Sequence, residues 1–537
     1  MKKLFYCIAI ILLRVSSLLH AQPYVSQVWS PDLGNGNYKN PVLFADYSDP
    51  DVCRVGNDYY LTASSFNCVP GLPVLHSKDL VNWRIIGYAL QKLTPEEVFD
   101  KPQHGNGVYA PCICYHRGEF HIYWGDPDYG IYVVKTQNPA GPWDAPILVK
   151  PGKGMIDPSP LFDDDGKIYL VHAWAGSRSR INSILSVCEL NEDGTRVTGR
   201  EVMVFDGLAE GNHTVEGAKI YKRNGYYYIL APAGGVKRGW QLALRSKAIF
   251  GPYEQKTVLE QGSTAVNGPH QGGWVETPSG ESWFLHFQDM ETYGRVVHLQ
   301  PVAWINDWPE MGVEKNGLRE PVITYRKPDT GVHPPVENPA ESDEFDHPAL
   351  GLQWQWHANP KDPWCMPTNM GFLRLYAIPL PDNHFNFWDV PNLLLQKFPA
   401  GEFTATAKLT FSSSTSGEKT GLIIMGLDYS YIALSKSGDG YKIVQAVCKN
   451  ADRKTPETIV AETPVETNSV YLRVTVEKQA FCRFAYSTDG IQFVPFGETF
   501  KARQGRWIGA KTGIFAVRPD APGNLGYADF DRFGIEK

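Results

Sequence analysis

Three acidic residues in the first half of the chain are spaced so that they could act together. Asp49, Asp157 and Glu216 each lie seven to nine residues before a glycine-containing turn. Hydrolysis of an acetal needs a carboxylic acid that protonates the leaving oxygen and a carboxylate that activates water or attacks carbon. Clustered carboxylates oppose one another's ionisation, so the pKa of one rises while another stays charged. A third carboxylate can tune and orient the acid, and the set therefore predicts an acetal-hydrolysing site.

The turns belong to a repeat that occurs five times. Each copy is a glycine turn followed by an aromatic, β-prone segment, as in residues 56–61 and 225–229. The repeat glycines are 48 to 62 residues apart and are Gly56, Gly118, Gly166, Gly225 and Gly280. This period, with several short strands per copy, is typical of propeller blades. The repeat predicts a five-bladed β-propeller. The alternative is a β-sandwich whose turn spacing is coincidental.

The innermost strand of a blade faces the central axis and comes just before the turn that starts the next strand. The residues seven to ten positions before the repeat glycines are, from blade one to blade five, Asp49, Tyr109, Asp157, Glu216 and His270. Three acids and a histidine are therefore expected to converge at one end of the axis. An Asp before Pro is common in turns, and His270 could equally be a satisfied hydrogen-bonding residue of the hub. The matching positions of the acids in the repeat favour a catalytic site.

The pattern outside the repeat predicts further segments. A charged start, an apolar run over residues 4–13 and Ala21 indicate a signal peptide at 1–21. The run is too short for a membrane anchor, so we expect secretion across the inner membrane into the periplasm or beyond. The propeller is expected over 22–325 and a Pro-rich linker over 326–340. Strict alternation in residues 403–409 and 471–476 predicts a β-sandwich over 341–537, making the protein all-β.

Charge and cysteine content exclude some classes of partner. Loss of Lys2, Lys3 and Arg14 with the signal segment changes the formal net charge from −7 to −10. An acidic protein has no electrostatic basis for binding nucleic acid. Eight cysteines remain after Cys7 is removed, and no two form a CxxC pair. Buried free thiols are therefore expected, rather than zinc ligands or disulfides.

With these residues in view, the chain resembles glycoside hydrolase family 43 over about residues 38–310. The resemblance rests on the segments 40–43, 49–51, 76–83, 156–159 and 215–217. It implies an inverting mechanism in which Asp49 is the general base, Glu216 the general acid, and Asp157 the residue that raises the pKa of Glu216 and orients it.

The resemblance also implies further site residues. Arg295 matches the family's axial arginine, which could hydrogen-bond substrate hydroxyls, although a surface salt bridge would also explain it. Phe66 and Tyr109 fall where the family places aromatics that line the sugar pocket, although core packing would explain them equally. Family members often carry Ca²⁺ or water beside the histidine that matches His270, so His270 is a candidate ligand of a structural Ca²⁺, with no cofactor required.

The second domain resembles the concanavalin-like sandwich of β-xylosidase-type members, which implies a blind pocket and exo cleavage. The first hypothesis is removal of terminal α-L-arabinofuranosyl groups from plant cell-wall hemicellulose or pectin. β-D-Xylosidase activity, alone or together with the first, is the close alternative, because the two sugars place their hydroxyls similarly and family members often accept both. Tyr109 stands before Ala-Pro where xylosidases more usually have Trp, which weakens the xylosidase assignment. A retaining fructan hydrolase lacks support because its opening motif is missing. A glycan-binding propeller is the non-enzyme alternative, but such a protein does not need three axial acids.

Overall fold

The computed structural model describes residues 23–413 and 415–537. The predicted signal peptide lies outside these residues, so it stays a prediction. Within the described residues, no helix combines the length and apolar character needed to cross a membrane. Almost all regular structure is β, with two short helices, α1 (Glu96–Phe99) and α2 (Gly176–Ser179). Single 3₁₀ turns occur at Glu291–Tyr293, Asp362–Trp364, Phe387–Asp389, Ala451–Arg453 and Lys478–Ala480.

Strand β1 (Asn37–Lys39) precedes five four-stranded antiparallel sheets, which are the predicted propeller blades. Blade one comprises β2 (Asp51–Val55), β3 (Asp58–Thr62), β4 (Gly71–Ser77) and β5 (Trp83–Leu90). Blade two comprises β6 (Tyr109–His116), β7 (Glu119–Asp126), β8 (Gly130–Thr136) and β9 (Ile147–Pro151). Blade three comprises β10 (Met155–Phe162), β11 (Ile168–Trp174), β12 (Ile184–Leu190) and β13 (Val197–Asp206).

The last two blades have the same strand order. Blade four comprises β14 (Lys219–Arg223), β15 (Tyr226–Ala233), β16 (Trp240–Ser246) and β17 (Glu254–Leu259). Blade five comprises β18 (His270–Glu276), β19 (Ser282–Asp289), β20 (Arg295–Ile305) and β21 (Trp308–Met311). Three short strands follow: β22 (Val313–Lys315), β23 (Leu318–Glu320) and β24 (Thr324–Arg326), of which β24 pairs with β1.

The repeated glycines have a common structural cause. Each lies in the turn between the first and second strands of a blade, and each has a positive φ, between 62° and 90°. Glycine adopts this conformation without a steric penalty, so it recurs wherever the tight turn recurs. The prediction of five blades is confirmed.

Contacts between neighbouring inner strands arrange the blades around the axis. The Ile113 N–H donates to Asp51 Oδ2 at 2.8 Å, joining blade two to blade one. The Ile220 N–H donates to Ser159 Oγ at 3.1 Å, joining blade four to blade three. The ring is closed by the segment before blade one, where Leu43 pairs with Val297 of β20. This closure holds the residues just before β2 against the strand that begins at Arg295.

The second domain is the predicted sandwich, and its strands follow in chain order: β25 (Gln355–Trp356), β26 (Cys365–Pro367), β27 (Leu373–Tyr376), β28 (Ile378–Pro379), β29 (Leu394–Lys397), β30 (Phe403–Ser412), β31 (Lys419–Met425), β32 (Tyr429–Ser437), β33 (Gly440–Cys448), β34 (Thr458–Val465), β35 (Ser469–Glu477), β36 (Phe481–Ser487), β37 (Val494–Lys501), β38 (Lys511–Arg518) and β39 (Tyr527–Glu536). One sheet has the order β25-β29-β38-β31-β32-β33-β34, with β28 also on β38, and the other has the order β26-β27-β39-β30-β35-β36-β37. Burial alternates residue by residue along β30 and β35, because every second side chain faces the core between the sheets.

The two domains are joined by buried polar contacts. The Asn359 side chain accepts from Leu93 N–H at 2.8 Å and donates to the Leu93 carbonyl at 2.9 Å. The Tyr88 hydroxyl donates to the Leu352 carbonyl at 2.7 Å. The segment between the domains is also fixed, since Lys327 forms ion pairs with Asp32 and Asp79. The sandwich is thus fastened to the propeller at specific points.

Candidate active site

In every blade a residue in the left-handed conformation lies within the first three residues of the inner strand or two residues before it. These residues are Asp49 (φ 54°), Ala110 (φ 41°), Asp157 (φ 57°), Gly217 (φ 65°) and Gln271 (φ 42°). In blades two, three and five the pairing with the second strand shifts register at this point. Such bulges redirect side chains and are frequent beside active sites. The bulges thus turn the side chains at this position away from the regular ladder.

The alignment of the blades corrects one detail of the sequence analysis. Asp49 and Asp157 occupy the left-handed position itself, but Glu216 lies one residue before it, beside Gly217. In blade five the left-handed position is held by Gln271, and His270 is the residue before it. The three acids therefore do not occupy one position in the repeat. They meet because neighbouring positions at the same end of the axis face one another.

Asp49 is held by three hydrogen-bond donors. Its Oδ2 accepts from the Ser48 hydroxyl at 2.9 Å and the Ser64 hydroxyl at 2.5 Å. Its Oδ1 accepts from Arg295 Nη1 at 3.2 Å. The Ser64 oxygen also accepts from the Ala110 N–H at 2.6 Å, which fixes the hydroxyl for donation to Asp49. Hydroxyls and a guanidinium hold this carboxylate in a fixed orientation as an acceptor. A general base that takes a proton from water needs such a fixed orientation.

Asp157 connects blade three to the backbone beside Glu216. Its Oδ2 accepts from the Gly217 N–H at 2.6 Å, and its Oδ1 accepts from Gln271 Nε2 at 3.4 Å. Burial raises the pKa of Asp157 to about 6, and the charge of Asp49 adds to this effect while the Gly217 hydrogen bond opposes it. Asp157 is therefore placed to fix the main chain that carries Glu216.

Glu216 is the site carboxyl with the most strongly raised pKa. Its side chain is 30% exposed, so a ligand can reach it. Burial raises the pKa of Glu216 to about 8, the charges of Asp157 and Asp49 raise it further, and Arg295 opposes them. A carboxyl that keeps its proton at neutral pH is suited to donate it.

His270 lies beside Glu216 as a buried neutral imidazole. Its Nε2 is 3.5 Å from Glu216 Oε1, and neither ring nitrogen has a hydrogen-bond partner among the described residues. Burial, together with the charges of Arg295 and His286, lowers the pKa of His270 to about 3. The described residues therefore supply no hydrogen-bond partner for the His270 ring.

Arg295 reaches the site from blade five. Its Nη1 donates to the Ser48 hydroxyl at 2.7 Å as well as to Asp49. The guanidinium carbon lies 4.8 Å from the centre of the Phe287 ring and 5.9 Å from that of Trp507, a residue of the sandwich. Arg295 is 9% exposed, so its alternative interpretation as a surface salt bridge is wrong.

Phe66 and Tyr109 form an aromatic wall near these groups. Their ring centres are 5.0 Å apart in an edge-to-face arrangement. Phe66 is 1% exposed, whereas Tyr109 is partly exposed. The Tyr109 hydroxyl donates to the carbonyl of Gly105. Gly105 in turn lies against the side chains of Arg506 and Trp507, so the wall continues from the propeller into the sandwich.

Comparison with known proteins agrees with this geometry. The model of glycosyl hydrolases family 43 matches residues 38–309. The chain belongs to glycosyl hydrolases family 43. The model of the beta xylosidase C-terminal concanavalin A-like domain matches residues 342–536. The protein is therefore a family 43 glycoside hydrolase with a concanavalin-like second domain.

Curated relatives of this family 43 enzyme cover nearly its full length. A putative beta-xylosidase of Xylanibacter ruminicola is 38% identical over 90% of this chain and 87% of its own. A non-reducing end alpha-L-arabinofuranosidase of Bacteroides ovatus is 30% identical over 93% of this chain and 95% of its own. The crystal structure of xylan beta-1,4-xylosidase from Bacillus halodurans superposes with a TM-score of 0.81 at 26% identity, covering 93% of this chain and 100% of that one. Family membership excludes the fructan-hydrolase and glycan-binding alternatives as the main function.

The predicted Ca²⁺ beside His270 stays a prediction. Ca²⁺ prefers six to eight oxygen ligands, and the side chains near His270 include the Glu216 carboxyl, whose Oε1 is 3.5 Å from Nε2. No group of three or more His, Cys, Asp or Glu side chains in residues 23–413 and 415–537 is arranged to hold a metal.

The eight cysteines of this region of the family 43 chain are free thiols, five of them buried.

Several site residues escaped the sequence analysis. Ser48, Ser64 and Gln271 hydrogen-bond the two aspartates, and Trp507 approaches Arg295 from the other domain. Ser48 and Gln271 are chain neighbours of Asp49 and His270, so the repeat alignment could have indicated them. Ser64 and Trp507 carry no signal in the family 43 motifs, because long-range folding alone brings them to the site.

Proposed function

We propose that this enzyme is an exo-acting, inverting glycosidase that releases terminal pentosyl residues from the non-reducing ends of plant cell-wall oligosaccharides. The first candidate sugar is β-D-xylose, and the second is α-L-arabinofuranose. The observation that carries the mechanism is the contrast between two carboxyl groups: Glu216, which keeps its proton, and Asp49, held by three donors.

In the proposed reaction, Asp49 accepts a proton from a water molecule as the water oxygen attacks the anomeric carbon. The bond from that carbon to the leaving oxygen breaks, and Glu216 gives its proton to the leaving oxygen. Asp157 holds the Gly217 N–H and so orients Glu216, and its charge keeps Glu216 protonated. Attack and departure on opposite faces of the sugar invert the anomeric configuration.

The surrounding residues supply binding. The Arg295 guanidinium, pinned to Ser48 and Asp49, is positioned to donate to sugar hydroxyls. The partly exposed Tyr109 ring, packed edge-to-face against the buried Phe66, offers an apolar surface to the face of the sugar ring. The approach of Arg506 and Trp507 from the sandwich to Gly105 supports a pocket with one open end, which is the reason for proposing exo cleavage.

The choice of sugar rests on the relatives. The more similar of the two curated relatives is named a putative beta-xylosidase, and the other is named an arabinofuranosidase. The names therefore favour xylose over the arabinofuranose hypothesis, which relied on Tyr109. Arabinofuranose stays the second candidate for two reasons. One relative is named an arabinofuranosidase, and Tyr109 stands where xylosidases more usually have Trp. Secretion of the enzyme remains part of the proposal.

Hydrolysis of p-nitrophenyl β-D-xylopyranoside and α-L-arabinofuranoside tests this proposal. We expect release of nitrophenol from the xyloside in preference to the arabinofuranoside. In ¹H NMR spectra recorded before mutarotation, the xyloside should give α-xylose as the first product. β-Xylose as the first product would reject inversion, and cleavage of xylo-oligosaccharides only at internal bonds would reject the exo assignment.

Replacement of Asp157 by Asn should move the alkaline limb of the pH profile of kcat/KM to lower pH. The charge of Asp157 favours the protonated form of Glu216, so its removal lets Glu216 ionise at lower pH. We expect a shift of about one unit or more, with the Gly217 N–H still bound by the amide oxygen. Profiles of the wild type and Asp157→Asn on the same aryl glycoside measure this shift. An unmoved alkaline limb would remove Asp157 from the control of the acid.

A further inference from the structure

Asp46 is a buried carboxylate that touches both domains next to the active site. Its Oδ1 accepts from the Arg295 main-chain N–H at 2.8 Å. Its Oδ2 accepts from the Gly509 main-chain N–H at 3.1 Å. One carboxylate therefore binds the backbone of the axial arginine in the propeller and the backbone of the sandwich loop that carries Trp507. Asp46 is only 5% exposed.

The two backbones that Asp46 joins are packed too closely to move independently. A Cβ atom added at Gly294 would lie 2.5 Å from the Cβ of Asp46, and one added at Gly509 would lie 2.7 Å from the Gly294 nitrogen. A further bond runs from the Ala510 N–H to the Thr292 carbonyl at 2.7 Å. Only glycines permit this contact, and the carboxylate lies at its centre.

The position of the arginine backbone determines where its guanidinium lies. The Arg295 side chain is hydrogen-bonded to Ser48 and Asp49, and the main-chain N–H of Arg295 is hydrogen-bonded to Asp46. Burial raises the pKa of Asp46, and the charges of Lys397 and Arg295 oppose this effect. A carboxylate can accept from two N–H groups at once, whereas an amide of the same shape has one acceptor oxygen and presents an NH₂ group to the other donor.

We propose that Asp46 is a positioning residue that couples the sandwich loop at Gly509 to the main chain of Arg295. This inference rests on the proposed roles of Asp49 and Arg295. Asp46 does not touch the substrate. It acts by keeping the guanidinium, and through it the carboxylate of Asp49, in the reactive arrangement.

Asp46→Asn tests the coupling. We expect kcat/KM on an activated aryl glycoside to fall by about 10- to 100-fold, the cost of misplacing reacting groups by around 1 Å. The same substitution in an Arg295→Ala background should have almost no further effect, because the group through which Asp46 acts is already missing. An equal loss in both backgrounds, or wild-type activity of the single variant, would overturn the proposal.

Matched variants separate this effect from loss of stability. Tyr88→Phe removes another hydrogen bond between the domains and should leave kcat/KM unchanged. Gly509→Ala disturbs the same link from the sandwich side. If a circular-dichroism melt shows that Asp46→Asn does not fold, kcat/KM of Gly509→Ala is measured instead, alone and in the Arg295→Ala background. Asp49→Ala is measured in parallel. Full activity of that variant would reject the proposed function, whereas its inactivity beside a fully active Asp46→Asn would reject the coupling alone.

Discussion

Glu216→Gln is expected to lower kcat/KM on xylo-oligosaccharides by about 100- to 10,000-fold, the usual contribution of a general acid. The amide keeps the shape of the side chain but has no acidic proton to give to the leaving oxygen. The proton of Glu216 is retained in the native site because burial and two neighbouring carboxylates raise its pKa. Loss of that proton is therefore felt most by substrates whose leaving group is a poor one.

A series of aryl glycosides with increasingly acidic leaving groups measures this dependence. The defect of Glu216→Gln should be large for an oligosaccharide and nearly absent for a dinitrophenyl glycoside, whose leaving group needs no proton. Glu210→Gln is the matched control, because Glu210 is an exposed residue of the same chain segment and should behave as wild type. Unchanged turnover of oligosaccharides by Glu216→Gln would exclude Glu216 as the acid.

The propeller and the convergence of its acids were predictable because their signals are local. Each repeat glycine is required by a tight turn with positive φ, and the residues before it belong to the strand nearest the axis or directly precede that strand. Such a pattern is visible in single segments of sequence, so Asp49, Asp157 and Glu216 could be placed together. The alternation of residues along β30 and β35 likewise reflects burial of every second side chain.

Features that depend on distant segments were not predictable. Gly509 lies 463 residues after Asp46, and no local pattern relates them. Trp507 reaches Arg295 only after the two domains pack together. The one-residue offset of Glu216 depends on the left-handed position, which is held by Gly217 in blade four but by an aspartate in blades one and three. The choice between xylose and arabinofuranose depends on such details of the pocket, which explains why motifs alone left it open.

Asp49→Ala is expected to lower kcat/KM by about 1,000-fold or more on every glycoside, whatever the leaving group, because it removes the carboxylate proposed to take the proton from water. The surroundings of Asp49 predict a second property of this variant. Two hydroxyls and a guanidinium converge on the missing carboxylate, so the vacated space becomes a site for a small anion. Formate or azide should therefore restore part of the activity.

The isosteric variant Asp49→Asn makes this prediction selective. It lacks the base in the same way, but its amide fills the space, so added azide or formate should give no recovery. In Asp49→Ala, by contrast, azide bound beside Arg295 attacks the anomeric carbon directly, the bond to the leaving oxygen breaks, and Glu216 still supplies the proton. A glycosyl azide of inverted configuration is the expected product by NMR. Retained activity in both variants would exclude Asp49 as the base, and equal recovery in both would mean that the anion acts elsewhere than at the position of the carboxylate.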